Sequence, residues 1–214
     1  MATYDLDEQE RLDELKAWWK RWGSVVLFGI AVLIAAVAGW RYWQHQQFTQ
    51  NLEAAAAYDR LTQTLMADDA QAAREAGGLL IDKYASTAFA PRAALLLAKL
   101  NVGARDLKSA QTQLEWAATR SKEPAVRDLA NLRLAGVQLD LNEPDAALKT
   151  LASKHSEAFA PRFADMLGDV LLVQGKPEEA RAAYQSAFSK MQDDNPYRGV
   201  VELKLDALGG EATP

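Results

Sequence analysis

Cysteine is absent from the 214 residues, which excludes thiol catalysis, iron–sulfur clusters and a disulfide scaffold. Histidine occurs twice, as His45 and His155, too few for a zinc site with ordinary ligands. Positive charge is not in excess: 24 basic residues stand against 29 acidic ones, and the clustered basic surface that nucleic acid requires is missing. Outside one apolar stretch there are no β-branched runs, so nothing reads as a sheet. G-x-G-x-x-G, Walker, G-x-S-x-G and H-E-x-x-H motifs are also lacking. The paired acids Asp68-Asp69, Glu178-Glu179 and Asp193-Asp194 fall in turns or first helical turns, where they suit the helix dipole. The sequence therefore reads as a non-enzymatic protein with no catalytic residue, metal or cofactor. What remains is ample material for a core: 49% of residues are apolar and 25% charged, which excludes disorder.

The apolar stretch runs from Trp22 to Trp40 with no charge and one hydroxyl, Ser24. As a helix it spans roughly 28 Å, close to a hydrocarbon core of about 30 Å. Trp18, Trp19 and Trp22 flank one end, and Trp40, Tyr42 and Trp43 the other. Amphipathic rings at both ends form a double aromatic belt, and a buried soluble helix has no need of one. Ala36-Val37-Ala38 fits a signal-peptide cleavage site, yet the leading segment is long, acidic and rich in tryptophan, which favours an uncleaved anchor. Ala31, Ala35 and Gly39 recur every fourth residue, a candidate interface for another membrane helix.

Arg11, Lys16, Lys20 and Arg21 precede the span, whereas Arg41 and Arg60 alone carry positive charge in the twenty residues after it. This bias places the N-terminus in the cytoplasm. The expected organisation is a cytoplasmic tail at 1–21, a membrane helix with its belt at 22–43, and a periplasmic domain at 44–214. The tail holds Asp5, Asp7, Glu8, Glu10, Asp13 and Glu14, and reads as a solvated acidic stub or a docking site for a cytosolic partner.

After Arg41 the chain is rich in alanine, leucine, glutamine and charged helix formers. Pro91, Pro124, Pro161 and Pro196 recur at intervals of 33, 37 and 35 residues, each before an apolar-periodic segment. Pro144 and Pro177 open two more. Proline suits a helix start because its missing N–H has no partner there anyway. A period near 34 residues with two helices each marks a helical-hairpin array. Leu167 to Phe188 resembles a tetratricopeptide repeat: Leu167 and Gly168 keep the first helix small, Gly175 lies in the turn, and Ala180, Tyr184 and Ala187 form a small–large–small stripe. The stripe recurs as Ala110, Leu114 and Ala117, and weakly as Ala147, Leu151 and Lys154. Gly103 and Asn142 are assigned to the corresponding turns. Phe48 to Met66 and Ala70 to Tyr84 read as a degenerate first hairpin, weakened by Gly77-Gly78, and Pro196 to Leu208 as a capping helix. The fold class is thus all-α: a single N-terminal transmembrane helix, a tetratricopeptide-like helical-hairpin repeat solenoid, and a C-terminal cap. Arg92, Arg162, Asp165 and Asp169 are candidates for a groove lined by successive first helices, with solvated surface the competing reading for the arginines. His155 is expected on the polar surface.

Taken with Gly39-Trp40-Arg41-Tyr42-Trp43, Asn131-Leu132-Arg133-Leu134-Ala135 and Ala146-Ala147-Leu148-Lys149-Thr150-Leu151, the whole chain resembles the ancillary SecYEG translocon subunit family. The resemblance implies an inner-membrane protein that associates with the SecYEG translocon and the membrane-anchored periplasmic chaperone PpiD. It also implies unfolded or newly translocated proteins as clients, passed on to periplasmic chaperones. The acidic tail is the least similar part, so a family role in control of a stress-response factor is the weaker implication. Another envelope scaffold, in division or outer-membrane assembly, is the alternative.

Overall fold

Left-handed residues punctuate the chain at Asp68, Arg105, Asn142 and Gly175, with φ of 57°, 64°, 61° and 74°. Each is closed by the same pair of backbone bonds. Its own N–H donates to Leu65, Val102, Leu139 or Leu172, at 2.9–3.3 Å. The next N–H donates to Thr64, Asn101, Gln138 or Leu171, at 2.8–3.0 Å. This double closure satisfies carbonyls that a helix end otherwise leaves orphaned. Four identical closures are the backbone signature of a repeat, and they correct one turn: Arg105, not Gly103, takes the left-handed position. Gly103 is the last residue of its helix.

The computed structural model describes residues 3–209, with side chains from Arg11 onward. Asp5, Asp7, Glu8 and Glu10 of the acidic tail, and the terminal Pro214, lie outside the described side chains. The described residues hold nine α-helices and no strand: α1 (Thr3–Met66), α2 (Ala70–Lys83), α3 (Phe89–Gly103), α4 (Leu107–Arg120), α5 (Pro124–Asp140), α6 (Pro144–Leu151), α7 (Ala160–Val173), α8 (Pro177–Lys190) and α9 (Arg198–Ala207). A single 3-10 turn, Glu157–Phe159, precedes α7.

Pro124, Pro144 and Pro177 open their helices. Pro91 and Pro161 stand inside the first turn, where no intrahelical N–H is yet required. Pro196 sits two residues before α9, which is held instead by the N–H of Tyr197 donating to the Asn195 side chain at 3.0 Å. Asp69 and Asp106 cap α2 and α4 by accepting from Ala72 and Ser109 at 3.0 and 3.1 Å. Hydrogen bonds from Ser109 hold the Asp106 carboxyl below its usual range.

Two compact units divide at Gln50 and Asn51. In the first, Val25 to Val37 of α1 presents large exposed apolar side chains. This helix is long and apolar enough to cross a membrane. Trp18 and Trp19 lie 6.4 Å apart, and Trp40 and Trp43 5.6 Å apart. Ring atoms of Trp19 would stand only 3.2 Å from a side chain at Gly23, so that glycine is the seat of the indole.

In the second unit, residues 51–66 of α1 pair with α2, α3 with α4, α5 with α6, and α7 with α8. Four apolar clusters hold them, and each joins one hairpin to the helix that follows. Leu61 and Leu80 meet Leu97, and Ala98 and Leu114 meet Leu134. Ala135 and Leu151 meet Phe163, and Tyr184 meets Val201 and Leu205 of α9. Contacts limited to neighbours are the mark of a quasi-one-dimensional solenoid, and α9 closes the last open face.

Candidate partner-binding face and its ion network

Leu61, Ala98, Ala135 and Gly168 stand at one place relative to the four left-handed residues, and all are buried. Opposite them run the stripes of the second helices. Ala110, Leu114 and Ala117 are at most 1% exposed, as are Ala180, Tyr184 and Ala187. A side chain at Gly168 would meet the Tyr184 ring well inside 3.0 Å, so glycine there is a condition of the packing. Two details depart from the expected stripes. Helix α6 ends at Leu151, leaving Lys154 outside the helix and exposed. And Ala73, Gly77 and Leu80 form a fourth stripe with glycine in the large position. A Cβ at Gly77 would lie 2.7 Å from Leu97 atoms, so the residue that weakens α2 as a helix is the one that lets α3 approach. His155 is half-buried rather than purely superficial: its ring stacks on Phe163 at 4.1 Å, and Nδ1 meets the Ser153 carbonyl at 3.0 Å.

The residues expected to line a groove have specific partners. Arg92 pairs with Glu123 at 2.7 Å, joining α3 to the start of α5. Arg162 lies 3.6 Å above the Tyr197 ring. Asp165 is buried and accepts from Lys204 Nζ at 2.7 Å and from the Tyr197 hydroxyl at 3.0 Å. Asp169 accepts from Lys204 at 2.7 and 2.9 Å and from the Tyr184 hydroxyl at 2.7 Å. Asp165 and Asp169 thus face the chain's own capping helix rather than an open groove. Burial opposes charge on Lys204, but hydrogen bonds and attraction from the two carboxylates outweigh it and raise its pKa. Burial, then the Asp169 hydrogen bond, pushes the Tyr184 phenol up. Burial and the Asp165 charge do the same for Tyr197. Neither Lys204 nor Tyr197 is marked in the sequence, because each meets its partners only once α9 folds back.

Between α1 and α3 lies a groove of about 740 Å³. Among the described residues no cluster of three or more histidine, cysteine or acidic side chains could hold a metal. Ala31, Ala35 and Gly39 share the exposed surface of α1, and nothing stands within 4 Å of a side chain placed at Gly39.

Helical hairpins that follow, in the sequence, a helix able to span a bilayer define the class: a tetratricopeptide-like repeat protein with an N-terminal candidate anchor. A family model of the tetratricopeptide repeat-like domain matches residues 16–210. The ancillary SecYEG translocon subunit of Haemophilus influenzae is 31% identical over 206 residues, covering 96% of this chain and all of the relative. That of Neisseria gonorrhoeae is 32% identical over 210 residues, covering 97% and 100%. That of Escherichia coli is 28% identical over 212 residues, covering 97% and 99%. The chain belongs to the family of ancillary SecYEG translocon subunits.

Proposed function

We propose that the protein is an inner-membrane adaptor of the SecYEG translocon, with its repeat domain in the periplasm and its N-terminus in the cytoplasm. It helps pass newly translocated proteins to periplasmic chaperones, with PpiD as a second membrane-bound partner. The observation that carries this reading is similarity to ancillary translocon subunits over nearly the whole chain, span and repeats together. The physical argument is proximity. The span and the first repeat helix both fall within α1, so an anchored span ties the repeats to the membrane. Tethering beside a channel exit raises the effective concentration toward an emerging chain, to the order of millimolar for short connections. A repeat array binds through many modest contacts, which suits transient clients.

Purification from membranes in mild detergent is the test, and SecYEG and PpiD are the expected co-purifying chains. Recovery of neither, with the protein intact, would overturn the adaptor reading. A reporter active only in the periplasm, fused after Pro214, is expected to be active; a silent reporter on a stably produced fusion reverses the orientation.

A further inference from the structure

The second helices of the four hairpins are not of equal length. Helices α2, α4 and α8 have 14 residues each, and α6 has 8. The α6 stripe stops at Ala147 and Leu151, whereas α4 buries Ala110, Leu114 and Ala117, and α8 buries Ala180, Tyr184 and Ala187. In place of the missing turns runs an irregular connection, 152–156, followed by the 3-10 turn. A helix covers its neighbour only along the length it has, so α6 leaves α7 less covered than α4 leaves α5.

The joint between α6 and α7 is thinly packed. The apolar cluster across it holds six buried residues, against eight or nine in each of the others. A cavity of about 330 Å³ opens between α6, α7 and α8, lined by Leu151, His155, Phe163, Leu167 and Ser186. Atoms that face a void have no partners on that side, so separating its walls forfeits little dispersion energy. Buried polar atoms without a hydrogen bond gather at the same joint. Asp128 Oδ1, Ser153 Oγ and Gln174 Oε1 are three of the four such atoms among the described residues; the fourth, Arg181 Nε, is on α8. Gln174 ends α7 and reaches Asp145 of α6 with its amide nitrogen, at 2.8 Å. A buried orphan is costly while the joint is closed, and water relieves it when the joint opens.

Asp128 is 1% exposed and belongs to no ion pair among the described residues, unlike Asp165 with Lys204. Its Oδ2 accepts from the Ser156 N–H at 3.0 Å and from the Ser156 hydroxyl at 2.7 Å, which holds the connection onto α5. Beyond the joint, by contrast, the helices are tied to one another. Lys204 of α9 bridges Asp165 and Asp169 of α7, Tyr184 of α8 donates to Asp169, and Arg198 of α9 donates to the Phe188 and Met191 carbonyls at 2.9 Å.

We propose that the joint between α6 and α7 is a hinge, about which α7, α8 and α9 swing as one block against the repeats before them, with Asp128 and Ser156 as its latch. Hinges are a few residues at element ends that absorb the change in backbone angles, and the connection 152–156 is placed to do so. This freedom to change curvature at one place goes beyond the adaptor reading and does not depend on it.

The test uses the full chain in mild detergent, with nitroxide labels on pairs of introduced cysteines and pulsed measurement of the distance between them. The native chain has no cysteine, so every label is placed by choice. Thr112, Lys149 and Ala182 are exposed and stand at one place on α4, α6 and α8, just past the first alanine of each stripe. Thr112→Cys with Lys149→Cys spans the joint before α6, and Lys149→Cys with Ala182→Cys spans the hinge. The hinge pair is expected to give a distance distribution at least about twice as broad, since hinged blocks swing while packed neighbours shift little. Ala182→Cys with Glu202→Cys, both exposed positions within the moving block, should stay narrow. Asp128→Ala should broaden the hinge pair further and leave the Thr112→Cys, Lys149→Cys pair unchanged, which also shows that the repeats remain folded. Equal widths for the first two pairs, a block pair as broad as the hinge pair, or Asp128→Ala broadening both joints or neither overturns the hinge.

Discussion

Gly168 offers the sharpest quantitative test of the packing. A Cβ there would enter the Tyr184 ring, with ring atoms at 2.6 and 2.7 Å among its neighbours, where ordinary contact begins near 3.4 Å. The ring cannot withdraw easily: Tyr184 is 1% exposed, and its hydroxyl donates to Asp169 at 2.7 Å on the helix that carries Gly168. Overpacking of this kind costs about 1–3 kcal/mol. Against it stands the helix propensity gained on replacing glycine by alanine, at most about 1 kcal/mol. Gly168→Ala should therefore lose up to about 2 kcal/mol net, and Gly168→Leu more. Gly78 is the internal control. It is helical, with nothing within 4 Å of its Cβ position, so Gly78→Ala should gain about 0.5–1 kcal/mol. At about 2–4 °C per kcal/mol for a domain of this size, the two alanine variants should melt about 1–12 °C apart, Gly168→Ala the lower. Thermal unfolding followed by circular dichroism measures this. A Gly168→Ala midpoint as high as that of Gly78→Ala would show that α7 and α8 do not meet at this residue.

Lys204→Met keeps the aliphatic stem but leaves Asp165, only 3% exposed at its side chain, without its cation; a loss of about 2–4 kcal/mol is expected in chemical denaturation, because an orphaned buried charge is costly. Alkali should loosen the same cap. Tyr184, Tyr197 and Lys204 all have pKa values raised above the ordinary 10.0 and 10.5, so their contribution is complete below those values and lost as pH climbs through the raised ones. Unfolding midpoints measured across this range should fall in the wild type and less in a Tyr184→Phe, Tyr197→Phe variant; parallel curves would refute the assignment. In the span, Ala35→Leu with Gly39→Leu should weaken co-purification with the translocon or PpiD, whereas Leu33→Phe with Val37→Phe should not. Equal retention by both would assign the contact to the repeats.

The sequence by itself determined the features that depend on neighbours along the chain. A charge-free run between two aromatic clusters specifies a helix able to cross a bilayer, because length and polarity are local properties. The prolines near 91, 124, 144, 161 and 177 announced helix starts, since a missing N–H is tolerated only in a first turn. Gly168 and the Ala180, Tyr184, Ala187 stripe were legible because small–large–small spacing follows the helical period. Tertiary structure decided what joins residues far apart. Gly77 reads locally as a defect in α2, and only the approach of Leu97 gives it a purpose. Gly103 looked like the turn residue, yet the double backbone closure fell on Arg105, because the second position past the helix end takes the left-handed conformation whether or not a glycine stands there. Asp165 and Asp169 looked like groove residues until α9 folded back and brought Lys204 onto them. Charge pairing of this kind is set by which helix packs alongside, which no local pattern of residues can specify.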